Sequence, residues 1–144
     1  MSRPLTVFVS AGEESGDRHG ADLVRALQRR RPDARVVGVG GPRMAEAGAE
    51  ILFDPTAMAV MWFADVFRNL RTFVRLFEGA VRALGRLRPD VLVPIDYPGF
   101  NLRLADRAHG LDIPVAYYVS PQVWAWWPGR VHRIAEVVDR MMVI

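Results

Sequence analysis

Short apolar runs alternate with helical patterns along the whole chain, and glycine or proline stands at most of the junctions. Leu5 to Ala11, Arg35 to Val39, Val91 to Ile95 and Pro114 to Val119 read as buried strands, with shorter ones at Ile51 to Phe53 and from Met141 to Ile144. Between them a helix is predicted from Asp17, with Ala21, Leu23, Val24, Ala26 and Leu27 facing inward, and Ser15 or Asp17 as its N-cap. Arg29 to Arg31 lie at its carboxyl end, where the helix dipole favours cations, and Pro32-Asp33 stops it. A short helix opens with Pro42 in its first turn and ends at Gly48. Longer patterns cover about Trp62 to Leu87, Asn101 to Ala108 and Gly129 to Val138. Strands joined through helices must cross over to pair, which predicts an α/β fold: a mostly parallel sheet with helices on both faces.

At 144 residues, 51% of them apolar, the chain has material for one packed core and is not of disordered composition. It has no cysteine, so neither a disulfide framework nor a thiolate metal site is available. Leu5 to Ala11 is too short for a secretory h-region, and no apolar run is long enough to span a bilayer. The net charge is +3, and every one of the 19 basic residues other than histidine is arginine. Such a surface suits phosphates, carboxylates or an anionic membrane. No zinc-finger or RNA-recognition pattern is present, so nucleic acid is not an expected partner. The chain stops inside an apolar, strand-like run, which leads us to expect the front part of a longer protein.

Asp96 is the first candidate for chemistry. It ends the run Val91 to Ile95, and Pro98-Gly99 then breaks the strand ahead of the helix near Asn101. Ligands of parallel α/β sheets sit at the carboxyl ends of strands, so a carboxylate there is placed to act as a general base. It is equally placed to cap the turn or the next helix, and spacing leaves both readings open. Gly12, Gly16 and Gly20 follow the first strand with a spacing that matches neither the dinucleotide fingerprint nor a Walker loop. Glu13, Glu14 and Asp17 in the same stretch would repel phosphate and suit sugar hydroxyls better. Gly38-Val-Gly-Gly-Pro42 is expected beside it, at the same end of the sheet.

In the long helix Phe63, Val66, Phe67, Leu70, Phe73, Val74, Phe77, Val81 and Leu84 recur at three- and four-residue steps. Arg68, Arg71, Arg75, Arg82 and Arg86 form a second stripe. A core-facing helix with a solvated back explains this pattern; a helix lying on an anionic membrane is the functional alternative. Tyr117 to Pro128 is too aromatic for an ordinary exposed loop and suggests a ligand, a partner domain or its own core as cover. His19, His109 and His132 are scattered without metal-ligand spacing, and there is no Gly-x-Ser-x-Gly elbow, so neither a metal nor a serine nucleophile is expected.

Taken together, Ala11-Gly-Glu-Glu-Ser-Gly-Asp17, Gly38-Val-Gly-Gly-Pro-Arg-Met44, Ala59-Val-Met61, Arg88-Pro-Asp90, Ile95-Asp-Tyr-Pro-Gly-Phe-Asn101 and Tyr118-Val-Ser-Pro-Gln-Val-Trp-Ala-Trp126 with Arg130-Val131 resemble the lipid-A-disaccharide synthase family, in family order along the whole chain. The resemblance implies a GT-B glycosyltransferase of two Rossmann-like domains. Residues 1–144 would form the amino-terminal, acceptor- and membrane-side domain, without the carboxyl-terminal domain that holds most of the UDP site; alone it would not transfer sugar. The implied reaction joins UDP-2,3-diacylglucosamine to 2,3-diacylglucosamine 1-phosphate (lipid X) in lipid A biosynthesis, giving a β-1,6 disaccharide with inversion. No cofactor is implied, since the UDP-sugar is a substrate.

The resemblance further assigns Asp96 as catalytic, and Glu13, Ser15, Gly16, Asp17, Asn101, Ser120, Gln122, Trp124 and Arg130 to substrate binding. It puts Ala64, Val66, Phe67, Leu70, Phe73 and Val74 in a membrane-facing segment of a protein peripheral to the cytoplasmic face of the inner membrane. Three positions depart from the family pattern: Trp62 replaces a usual Gly, Gly99 a frequent second Asp, and Trp127 a common Arg. The rival readings are another GT-B sugar-nucleotide enzyme and a non-catalytic lipid- or membrane-binding module.

Overall fold

The computed structural model describes residues 3–56, 66–118 and 130–142, with the backbone alone at 66–69, 130 and 131. Its strands are β1 (Thr6–Ala11), β2 (Arg35–Val39), β3 (Glu50–Phe53), β4 (Val91–Ile95), β5 (Ala116–Tyr118) and β6 (Arg140–Met142). They form one sheet in the order β3-β2-β1-β4-β5-β6, and every neighbouring pair is parallel. The helices among the described residues are α1 (Glu14–Arg30), α2 (Pro42–Ala47), α3 (Val66–Leu87), α4 (Pro98–Gly110) and α5 (Arg130–Val137). This is a Rossmann-like α/β sheet, as the alternation of patterns predicts.

Side-chain alternation along the strands divides the core in two. Val7, Val9 and Ala11 of β1, with Val36, Val93 and Ile95, pack against Ala21 and Val24 of α1 and Met44 of α2. Phe8, Val37, Val39 and Leu92 point the other way, onto Ala80 and Leu84 of α3, Phe100 and Leu104 of α4 and Val137 of α5. Since β1 and β4 are covered on both faces, their continuous apolar runs are what a central parallel strand requires.

Several boundaries move from their sequence expectations. Helix α1 starts at Glu14 rather than Asp17, and α4 at Pro98 rather than Asn101. Pro98 therefore opens the helix, because its missing N–H removes a donor that the first turn leaves unpaired anyway. Gly48 does end α2, with φ of 115° in the left-handed region. The N-cap expectation fails. The cap position of α1 is Glu13, with no side-chain cap, and Ser15 and Asp17 lie inside the helix.

Asp17 caps a different helix. Its Oδ1 accepts hydrogen bonds from the amides of Gly41 (2.9 Å) and Met44 (3.0 Å), and its Oδ2 from that of Arg43 (3.0 Å). A carboxylate at the amino end of α2 meets both the unpaired amides and the positive end of the helix dipole. Gly41 is needed for this approach, since a Cβ there would lie 2.6 Å from Asp17 Oδ2. The two glycine loops are thus side by side, as expected, and joined by a buried carboxylate.

The apolar stripe of α3 splits. Phe73 and Phe77 both meet Phe100 edge-on, at ring separations of 5.5 Å, and pack on the core. Leu70 and Val74 point outward, 57% and 49% exposed. Phe73, expected on a membrane-facing surface, is corrected to a core-packing residue: its neighbour across the helix groove is the aromatic ring of α4. Phe73→Ser is expected to cost about 2–3 kcal/mol through the void and lost aromatic contact. Leu70→Ser should stay within about 0.5 kcal/mol of the parent. Urea denaturation of the two variants checks this.

Candidate active site

β1 and β4 lie side by side at the centre of the sheet, with Ala11 opposite Ile95. The chain therefore leaves both strands together, at Gly12 and at Asp96. The strand order reverses direction between these two strands, and the crevice outside their carboxyl ends is where open α/β sheets place ligands. Gly12 lets the two exits touch: a Cβ there would sit 2.2 Å from Cδ1 of Tyr97. Gly16 rests on Ala11 and Ile95, and a Cβ at Gly20 would lie 2.6 Å from the Met44 sulfur. The glycines of the first loop are thus positions of close packing.

Asp96 and Tyr97 are consecutive left-handed residues, with φ of 44° and 49°. For residues other than glycine this conformation costs about 1–2 kcal/mol each. Hydrogen bonds to the Asp96 peptide groups hold it. The Asp96 carbonyl accepts from Tyr117 Oη at 2.7 Å and Asn101 Nδ2 at 2.8 Å, while its amide donates to the Tyr118 carbonyl at 3.1 Å. Asn101 also reaches β1. Its Oδ1 accepts from Ser10 Oγ at 2.6 Å, and its Nδ2 lies 3.0 Å from the Ser10 carbonyl and 3.1 Å from that of Ile95. Ser10, Asn101 and Tyr117 are all buried.

The Asp96 carboxylate stands apart from this network. It is half-buried, and among the described residues no donor hydrogen-bonds to it. It does not cap α4, whose cap position is Tyr97, without a side-chain bond. Its charge is felt nearby: burial first, and then the Asp96 carboxylate, push the Tyr117 hydroxyl above the usual tyrosine range. Burial and then Glu13 raise Tyr97 in the same sense. Glu13 is exposed beside the half-buried Tyr97 ring. The mouth of the crevice thus presents two carboxylates and a phenol. The carboxylates can accept a proton from the hydroxyls of a polyol, and all three groups can hydrogen-bond to them.

The other expected site residues fall into three groups. Ser15 is exposed on the first turn of α1. Gly16, Asp17 and Asn101 are buried, and the side chains of Asp17 and Asn101 are occupied by internal hydrogen bonds. Ser120, Gln122, Trp124 and Ala64 lie outside the described residues, as do the side chains of Arg130, Val66 and Phe67. His19 meets Tyr118 edge-on at 6.1 Å, and His109 and His132 are exposed. No group of three or more metal-ligating side chains converges among the described residues. Ser10 escaped the sequence reading, and Tyr117 entered it only as the first residue of the aromatic stretch, not as a partner of Asp96. The available signal was a hydroxyl at a core-facing position of an apolar strand.

A model of the lipid-A-disaccharide synthetase family matches residues 7–144. The chain belongs to the lipid-A-disaccharide synthase family. Its relatives include the lipid-A-disaccharide synthase of Myxococcus xanthus, 46% identical over 144 residues, which are 100% of this chain and 38% of that protein. That of Neisseria meningitidis serogroup C is 47% identical over 138 residues, 96% of this chain and 36% of that protein. The chain thus spans less than two-fifths of the length of these relatives. Among solved structures, a putative UDP-N-acetylglucosamine 2-epimerase from Listeria monocytogenes matches with a TM-score of 0.65 at 13% identity, over 99% of this chain and 40% of its own. Acinetobacter baumannii MurG matches with a TM-score of 0.61 at 16% identity, over 96% and 40%. These two likenesses are of fold alone.

Within the family pattern, the Arg88-Pro-Asp90 motif belongs to the other end of the sheet. Arg88 Nη1 donates to the Leu111 carbonyl at 2.7 Å, just past α4, and the Asp90 carboxylate accepts from the Thr6 amide at 2.8 Å, where β1 begins. The loops at the carboxyl ends of β1 and β4 supply Glu13, Asp96 and Tyr97.

Tyr117 and Tyr97 also make a pH prediction. Both hydroxyls are held above their unfolded value, so the native state keeps these protons to higher pH than the unfolded chain does. Their contribution is complete below the unfolded tyrosine pKa of about 10 and falls as pH rises beyond it. Alkaline denaturation should show stability declining above about pH 10, and Tyr117→Phe should flatten that decline.

Proposed function

We propose that the chain is the acceptor-binding half of an inverting lipid glycosyltransferase, a lipid-A-disaccharide synthase. In the whole protein a second Rossmann-like domain would face it across the crevice and hold UDP-2,3-diacylglucosamine, making a GT-B architecture. The acceptor, 2,3-diacylglucosamine 1-phosphate, would enter at the carboxyl ends of β1 and β4. One observation carries the reading: at the mouth of the switch point, Asp96 presents a half-buried carboxylate with no hydrogen-bond donor among the described residues, on a backbone that internal bonds hold in a left-handed turn.

In this mechanism the Asp96 carboxylate takes the proton from the acceptor 6-hydroxyl as its oxygen attacks the anomeric carbon of the donor. The new glycosidic C–O bond forms, the bond from that carbon to the UDP oxygen breaks, and UDP leaves with the electron pair. Attack from the face opposite UDP inverts the anomeric centre to β. Glu13, Ser15 and the Tyr97 hydroxyl lie on the acceptor side, with Ser120, Gln122, Trp124 and Arg130 completing the binding set. Asp17 and Asn101 support the loops from within. In the full-length protein, Asp96→Asn is expected to lower disaccharide formation about 10²- to 10⁴-fold with an unchanged circular dichroism spectrum. Turnover equal to the parent would remove Asp96 as the base.

No helix among the described residues is long and apolar enough to cross a membrane. Substrates carrying acyl chains nevertheless have to be met at a lipid surface, and α3 offers one contact. Leu70 and Val74 are exposed one turn apart, with exposed Arg71 and Arg75 next to them in sequence. Apolar side chains dipping below the head groups beside arginines that pair with phosphates would hold the protein on the cytoplasmic face of the inner membrane. Ala64, Val66 and Phe67 extend this segment in the proposal. Leu70→Ser with Val74→Ser should weaken binding to anionic liposomes roughly tenfold, given what burying such side chains contributes. The melting temperature should not move; unchanged liposome binding would exclude this face as the anchor.

A further inference from the structure

We infer that Tyr117 is a positioning residue for the reaction: its buried hydroxyl, bonded to the Asp96 carbonyl, aims the Asp96 carboxylate at the acceptor without touching substrate. This rests on Asp96 being the base.

The Asp96–Tyr97 turn is the one place among the described residues where two successive non-glycine residues take left-handed φ values. It has no glycine to relax it and no side-chain cap on the helix that follows. A strained turn persists only where its surroundings hold it. Two donors converge on the Asp96 carbonyl, Tyr117 Oη at 2.7 Å and Asn101 Nδ2 at 2.8 Å. They differ in what else they do. Asn101 is also bound to Ser10 and to the Ile95 carbonyl, so its removal would disturb the joint between β1 and β4. The Tyr117 hydroxyl has one partner among the described residues, the Asp96 carbonyl.

Tyr117 is buried on β5, the neighbour of β4, so its ring cannot reach a substrate in the crevice. Through the carbonyl bond it sets the rotation of the peptide that follows Asp96, and with it the direction of the Asp96 Cα–Cβ bond. A general base must lie within hydrogen-bond reach of the proton that it abstracts, so a loss of aim lowers the rate of the chemical step. Burial first, and then the charge of the nearby Asp96 carboxylate, raise the Tyr117 hydroxyl, which agrees with this placement.

The test is a double-mutant cycle in the full-length protein, with Tyr117→Phe, Asp96→Asn and both together. Kinetics are run with the UDP-sugar donor and lipid X acceptor. Tyr117→Phe keeps the ring and the packing and leaves the Asn101 bond in place. It is expected to lower kcat about tenfold with KM for the acceptor little changed. In the Asp96→Asn background the same change should alter the residual rate less than about twofold, because aim no longer matters once the base is gone. Equal losses in both backgrounds would make Tyr117 a structural residue and overturn the inference. So would an unchanged kcat for Tyr117→Phe when Asp96→Asn is inactive. Full activity of Asp96→Asn itself would instead overturn the assignment of the base, and the aiming role with it.

Discussion

A single buried amide joins the parts of this domain that matter for its site. Asn101, on the first turn of α4, bonds the side chain and carbonyl of Ser10 at the end of β1 and the carbonyls of Ile95 and Asp96 at the end of β4. Serving all these groups takes an acceptor and more than one N–H or O–H; an amide offers an acceptor oxygen and two N–H donors, whereas an ionised carboxylate has no donor and an alcohol has only one. Without it, the buried Ser10 hydroxyl would lose the acceptor that it has here, at a cost of about 1–3 kcal/mol. The crevice between β1 and β4 therefore has walls fixed from inside the protein.

Asp17 does the equivalent work on the other side of β1. Its carboxylate gathers the amides of Gly41, Arg43 and Met44 and fastens α2 to α1. Two polar residues that looked suited to a ligand thus hold the loops from which other residues project. Left open to the crevice among the described residues are Glu13, Ser15, Asp96 and the Tyr97 ring. A rigid frame of buried polar groups beneath a few unpartnered ones suits a site whose chemistry depends on direction.

The same sheet carries different chemistry elsewhere. A structure described as an epimerase and one described as MurG share this fold at 13% and 16% identity. Relatives at 46% to 47% identity carry the lipid-A-disaccharide synthase name. A shared fold does not fix what a protein does; that depends on the residues of its site, and the candidate site of this chain is built from the residues after β1 and β4. In this chain those residues are acidic and aromatic, the motifs by which the family is recognised in the sequence.

Much of this was already determined by the sequence. Strand identities, the parallel sheet, Pro42 at the start of α2, Gly48 at its end and the placing of Asp96 at a strand's carboxyl end all follow from local patterns, because apolar period, glycine and proline act within a few residues. The family was legible too, since its motifs are runs of contiguous residues. Tertiary structure decided the partners. Whether Asp17 caps its own helix or α2, whether Phe73 faces outward or meets Phe100, and whether Asn101 binds a ligand or Ser10 are questions about residues at least 24 positions apart in the chain. A one-dimensional pattern shows which side chains need a partner. Only the packing of strands and helices brings the partner within hydrogen-bond or van der Waals reach, and so separates the residues that build the site from those left open to use it.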